Sequence, residues 1–247
     1  MDTWINFAGD KPSFKEPKAI IGSPGLRSIG KLAVEYLIRE FKPKLFAELY
    51  SHYFPVSYAL SASYISSPTY LGEVGVSVEG APKIPRIEFY AQEEHDLIIV
   101  KGYQADFNGQ YEVAKKTVDF LKELGVKEII SLAGDGHGGE GIHCATTNLE
   151  LLNNLKKKGF EAGYIGPFLG FSGLTIGLGK ENEIEGICLF GRTTPNQEEP
   201  EFPDPTGAKN ILDALNTILN MNLDTSTLEK MRPEDLMKGS YFGAMKV

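Results

Sequence analysis

The sequence predicts an α/β fold, a mixed and mainly parallel sheet sandwiched by helices. Three observations carry this. Short apolar runs alternate with stretches of three/four periodicity, the signature of strand and helix in turn. Three runs in the middle follow one another over links too short for a crossover, so they pair antiparallel and make the sheet mixed. The chain has 247 residues, 42% hydrophobic and 23% charged, enough for one large core without a disulfide or metal.

Each element has a local reason. Lys18-Ala19-Ile20-Ile21 reads as a short buried strand that runs into the turn Gly22-Ser23-Pro24-Gly25. Ile29, Leu32, Ala33, Tyr36, Leu37 and Phe41 then line one face of a helix that Pro43 ends. Leu45 to Tyr50 is the next strand. Glu73 to Val78, Arg86 to Ala91 and Leu97 to Val100 are the three antiparallel runs. Asn108 is placed to cap a helix over residues 109–124 that Gly125 stops. Glu128 to Ala133 returns to strand. Thr147-Asn148-Leu149-Glu150 matches a capping box for a helix with Leu151, Leu152 and Leu155, stopped by Gly159. Glu161 to Ile165 and Glu185 to Phe190 are further strands. Asp204-Pro205 supplies a cap and a first-turn proline for a helix with Ala208, Ile211, Leu212, Leu215, Ile218 and Leu219. There is no repeat or linker. The expected organisation is one α/β domain over residues 1–224, with a short helix and tail over 225–247.

Composition excludes several classes. Thirty-three acidic against 25 basic residues give a formal charge of −8, the wrong sign for a protein that works by neutralising phosphates. No run approaches the ~20 apolar residues of a membrane span, and Met1-Asp2-Thr3-Trp4-Ile5 has no signal-peptide character. Cys144 and Cys188 are the only cysteines, which fits unpaired thiols in a reducing, cytoplasmic setting. Neither nucleic acid nor membrane is an expected partner.

Four segments could carry chemistry. Residues 25–31 have the Gly-x4-Gly-Lys spacing of a phosphate-binding loop, but Leu32 stands where the magnesium-binding hydroxyl belongs. A strand–turn–helix corner with close-packed glycines is the better explanation. Residues 134–144 place Asp135, His137, Glu140, His143 and Cys144 on a glycine-rich loop beyond a strand's carboxyl end. No zinc spacing is matched there. Gly170 and Ser172 begin a nucleophile elbow, but Leu174 replaces its second glycine, and no histidine follows residue 143. Finally, Tyr50, Tyr53, Phe54, Tyr58, Tyr64 and Tyr70 crowd one stretch. Such aromatics suit a protein interface or edge packing over the core.

These segments together resemble a known family. Ile21-Gly22-Ser23-Pro24-Gly25 with the helix carrying Glu35-Tyr36-Leu37-Ile38, then Tyr53-Phe54-Pro55, Asp96 to Gly102, Gly125 to Gly134, and Pro203-Asp204-Pro205 through Asp224 are similar to the proteasome assembly chaperone family. The resemblance covers most of residues 17–231. It implies a fold like that of purine nucleoside phosphorylases, and no catalysis, cofactor or metal. It also implies a homo-oligomer, ring-shaped in some members, whose partners are proteasome core-particle subunits or a second assembly factor. Some members end in a hydrophobic–Tyr–any-residue tail that docks on the proteasome. Met245-Lys246-Val247 lacks that tyrosine, and Ser240-Tyr241-Phe242 is internal, so the chain resembles the archaeal branch without the tail. The expected interaction residues are Tyr50, Tyr53, Phe54, Tyr241 and Phe242. The alternative is a small-molecule enzyme of nucleoside phosphorylase or hydrolase type, using the loop from Gly134 to Cys144.

Overall fold

The computed structural model describes residues 3–54, 75–76, 82–139, 141–162, 170–198 and 202–230. Among the described residues, eleven strands and six α-helices follow one another. They are β1 (Thr3–Phe7), β2 (Lys18–Gly22), α1 (Ile29–Phe41), β3 (Lys44–Ser51), β4 (Gly75–Val76), β5 (Pro82–Lys83), β6 (Ile87–Gln92), β7 (Leu97–Lys101), α2 (Gln110–Glu123), β8 (Glu128–Asp135), β9 (Ile142–Thr146), α3 (Leu149–Lys157), β10 (Glu161–Ala162), α4 (Gly170–Glu181), β11 (Glu185–Arg192), α5 (Pro205–Leu219) and α6 (Ser226–Glu229).

Nine strands form one sheet in the order β1-β3-β6-β7-β2-β8-β11-β9-β10, and β4 pairs β5 apart from it. The centre is parallel: β2 lies between β7 and β8, and β8 pairs β11 over residues 128–135. The flank β1-β3-β6-β7 is antiparallel, as is β9 on β11. The sheet is therefore mixed, as expected, with its parallel part in the middle.

Side-chain alternation builds two cores. Ala19, Ile21, Ile98, Val100 and Ile129 face one layer, where they meet Val113, Val118 and Leu121 of α2 and Phe171 and Ile176 of α4. Ile20, Ile99, Ile130, Leu132 and Leu189 face the other, under Ala33 and Leu37 of α1 and Ile211 and Leu215 of α5. A strand two-sided in this way must read as a continuous apolar run, which explains Ala19-Ile20-Ile21 and Ile98-Ile99-Val100. Each fully buried Ile or Leu contributes roughly 1.5–3 kcal/mol of burial free energy. Phe89 meets Phe120 edge-on with centroids 5.0 Å apart, closing the first core beneath β1.

Helix ends follow their chemistry, with two departures. Asp204 accepts from Gly207 N–H, and Pro205 opens α5. Gly125 and Gly159 hold φ of 87° and 90° after α2 and α3, the left-handed turn that glycine takes without penalty. Asn108 does not cap α2: Gly109 holds that position without a side-chain bond, and Asp106 accepts from Gly109 N–H instead. Nor does Thr147 cap α3. Asn148 does, accepting from Leu151 N–H at 2.9 Å, while the Thr147 hydroxyl accepts from Gly186 N–H. Three strands have no counterpart in the sequence reading, β1, β5 and β9. The run expected over residues 161–165 is described only for Glu161–Ala162, and that over 73–78 only for Gly75–Val76.

Past Asp224, α6 packs on the domain. Leu228 is fully buried in the second core, and the Thr225 hydroxyl donates to Asp213. Among the described residues, no helix is long and apolar enough to cross a membrane.

Candidate functional site

The four central strands β7, β2, β8 and β11 run the same way, so their carboxyl ends meet at one rim. Open α/β sheets bind ligands at such a rim. Its middle is packed shut. A Cβ on Gly30 would lie 2.3 Å from the Leu132 carbonyl oxygen, and one on Gly22 would lie 2.1 Å from that of Gly30. The glycines thus let α1 sit against β2 and β8. Lys31 is only 2% exposed and faces Glu35, 3.8 Å away, so it is not presented to a phosphate. Gln104 is buried and donates to Pro24 O at 2.5 Å. Ser172, the serine of the partial elbow, is also buried. The first and third segments are therefore packing corners.

Backbone strain marks the same rim. Arg27 and Ser28 hold φ of 53° and 49°, a left-handed conformation that costs non-glycine residues about 1–2 kcal/mol each. The Arg27 side chain donates to Phe202 O and Thr194 O, clamping the loop that precedes α5.

The polar cluster lies at the far side of the rim. Asp135 ends β8 and is 1% exposed. Its carboxylate takes both histidines of the glycine loop: His137 Nδ1 lies on Oδ1, and His143 Nδ1 lies 2.8 Å from Oδ2. Burial pushes this carboxyl up, but the bonds from His137 and His143 outweigh it, so it sits below the ordinary carboxylate range. His143 Nε2 faces Glu161 Oε2 at 2.9 Å and the Arg192 guanidinium, which donates to the same carboxylate at 2.9 Å. Four neighbouring strands, β8, β9, β10 and β11, each supply one member.

This arrangement restrains what His143 can do. Both ring nitrogens already have partners, Nδ1 on Asp135 and Nε2 on Glu161 and Arg192. A proton-abstracting base needs the lone pair free. Beside it lies a groove of about 410 Å³ whose lining includes Lys158, Glu161, Arg192, Asn210, Asp213 and Thr217. Cys144 turns the other way, into the second core, and burial raises its thiol pKa. Cys188 is likewise buried and raised, and both cysteines are free thiols. Glu140 lies outside the described residues. Among those described, no group of three or more His, Cys, Asp or Glu side chains is placed to hold a metal ion. Sequence reasoning found Asp135, His137 and His143 but missed Glu161 and Arg192, which strand pairing brings in. Their signal was a charged residue at a strand end: Arg192 closes β11 and Glu161 opens β10.

The expected interaction aromatics divide. Tyr50 is half-buried on β3, donates to Glu48 at 2.8 Å and stacks with Trp4 at 5.8 Å. Burial and the Glu48 carboxylate raise its phenol to about 12. Beyond it, Arg86 bridges Glu48 and Glu88, and Lys101 reaches Glu88 and Glu35. Tyr53 is half-buried against Gly109. Phe54 is 7% exposed with its ring edge-on to Tyr103, so its place is the core and not the surface. Tyr241 and Phe242 lie outside the described residues, as do Tyr58, Tyr64 and Tyr70.

The decisive comparison is with a family model described as the PAC2 family, which matches residues 19–234. The chain belongs to the PAC2 family. One PAC2 relative, protein MJ1210 of Methanocaldococcus jannaschii, is 31% identical over 221 residues, covering 85% of this chain and 77% of its own. Among solved structures, Pyrococcus furiosus PbaB, described as an archaeal proteasome activator, superposes with a TM-score of 0.74 at 31% identity, covering 92% of this chain and 93% of its own. PbaA of the same organism, described as an archaeal homolog of proteasome-assembly chaperone, has a TM-score of 0.73 at 24% identity, with 92% and 86% covered. The fold of this PAC2 chain is thus that of the archaeal proteasome assembly chaperone homologues.

Proposed function

We propose that this PAC2 protein is a non-enzymatic, cytoplasmic assembly factor. It binds proteasome core-particle subunits, or a second assembly factor, as a homo-oligomer. The observation that carries this is the end-to-end match to PbaB, described as an archaeal proteasome activator. The site geometry supports it. The glycine corner of residues 22–31 is filled by backbone, and both ring nitrogens of His143 are engaged by Asp135, Glu161 and Arg192. The cluster of Asp135, His143, Glu161 and Arg192 therefore acts as a polar clasp that holds β9 and β10 to the parallel centre. Tyr50, Tyr53, Tyr241 and Phe242 are the residues proposed to meet partners.

The test mixes the purified full chain with archaeal core particles and with free α subunits, and follows association by native mass spectrometry. Binding to either is the expected result. Absence of both, together with no proteasome component or assembly factor captured from a native lysate, overturns the reading. A thermal-shift titration with nucleosides plus phosphate addresses the enzymatic alternative. A concentration-dependent rise in Tm that His143→Ala abolishes would favour that alternative.

A further inference from the structure

We infer that β1 is a self-pairing edge: two copies of this chain join their β1 strands antiparallel about a two-fold axis at Ile5, continuing the sheet from one copy into the other. This rests on the homo-oligomer reading above.

The hydrogen-bond parity of the strand carries the argument. β1 pairs β3 with Thr3 opposite Ser51, Ile5 opposite Leu49 and Phe7 opposite Ala47. The next pair in that register is Ala8 with Phe46, where Ala8 N–H donates to Phe46 O at 2.9 Å. In an antiparallel ladder, bonded and non-bonded pairs alternate. Trp4, Asn6 and Ala8 therefore bond inward to β3. The N–H and C=O groups of Thr3, Ile5 and Phe7 turn outward, and β1 is the terminal strand of the sheet among the described residues. A two-fold axis at Ile5 sets Ile5 against its own copy and Thr3 against Phe7 of the other. Those three outward pairs are then the bonded ones, each donor opposite an acceptor.

Among the described residues, the edge carries none of the usual defences. Natural edge strands are guarded by charge, proline, a bulge or shortness. Thr3-Trp4-Ile5-Asn6-Phe7 has no charged residue and no proline, and its pairing with β3 is unbroken over five residues. Trp4 is 38% and Phe7 55% exposed. A second copy is the occupant that fits. An uncharged strand does not repel itself, and each Trp4 would cover the other copy's Asn6. A strand that pairs with its own copy about a two-fold axis makes the contact isologous, the same patch on both copies.

The register gives a sharp test. In this pairing Trp4 and Asn6 of opposite copies form a non-bonded pair about 4.5 Å apart at Cα, within disulfide reach. Both are exposed, and the two native thiols are buried. Full-length Trp4→Cys and Asn6→Cys chains, mixed and oxidised, should cross-link as a heterodimer, and each alone should give little. Ile5→Pro deletes the outward N–H at the axis and spares the inward bonds to β3. It should halve the mass seen by native mass spectrometry while circular dichroism stays unchanged. Should Ile5→Pro unfold the chain, the cysteine pair still decides. A wild-type monomer, an odd-numbered assembly, or an oligomer that survives Ile5→Pro without the mixed cross-link overturns the proposal. In the last case homo-oligomerisation stands and only this edge is wrong.

Discussion

Single residues record where the fold is under constraint. Lys42 holds φ of 46° just after α1 and is exposed. A left-handed conformation costs an L-residue about 1–2 kcal/mol that glycine does not incur. Lys42→Gly should raise the stability measured by urea unfolding by about 1 kcal/mol. An unchanged midpoint would show that the turn is not strained. Asp135 gives the pH dependence. Its folded-state pKa lies below its ordinary value because of His137 and His143. A depressed carboxyl contributes stability that is full above its unfolded pKa of about 3.9 and is lost as pH falls through the folded value. Thermal melts carried from pH 7 into acid should fall steeply for the wild type. Asp135→Asn should be less stable at pH 7 and have a shallower acid limb. Equal slopes would mean that another group sets the acid response.

At the scale of elements, α5 offers the cleanest test. Asp204 accepts from Gly207 N–H at the helix start and also takes the Thr193 hydroxyl. Asp204→Ala should cost about 1–2 kcal/mol in chemical denaturation, and Asp204→Asn should recover much of it. Loss of the same size in both variants would point to charge instead of capping. This helix was legible in the sequence because Asp204-Pro205 and the spacing from Ala208 to Leu219 agree. The central strands were legible for a related reason: a strand buried on both faces is written as an apolar run. β1 was not, since one exposed strand of alternating Trp4, Asn6 and Ile5 reads like an irregular terminus. β9 was missed because it is only five residues long, with His143 and Thr146 breaking its apolar character, and it abuts glycine-rich residues 134–141. That miss also hid half of the polar clasp. Asp135 and the histidines stand close in sequence. Arg192 and Glu161 reach them only when β9 lies between β11 and β10.

For the whole molecule, the acidic balance of −8 suits a chain that must stay dispersed while it meets other proteins. The two ends of the sheet differ in kind. Among the described residues, one stops at the uncharged strand β1, and the other at β10, tied down by Glu161 to His143 and Arg192. Contact between copies and contact with a different partner can therefore use separate regions. The position of β2 has a further consequence, for how the chain folds as it is synthesised. Its neighbours are β7, which begins at Leu97, and β8, which begins at Glu128. The edge of this buried strand that meets β7 stays unsatisfied until Lys101 of the 247 residues has been released, and the edge that meets β8 until Leu132, past the midpoint. Distant pairing of this kind slows folding, because the loop must close before any contact repays it. Ala19-Ile20-Ile21 thus keeps an open edge through the first half of synthesis, a stage at which the nascent chain itself needs shelter.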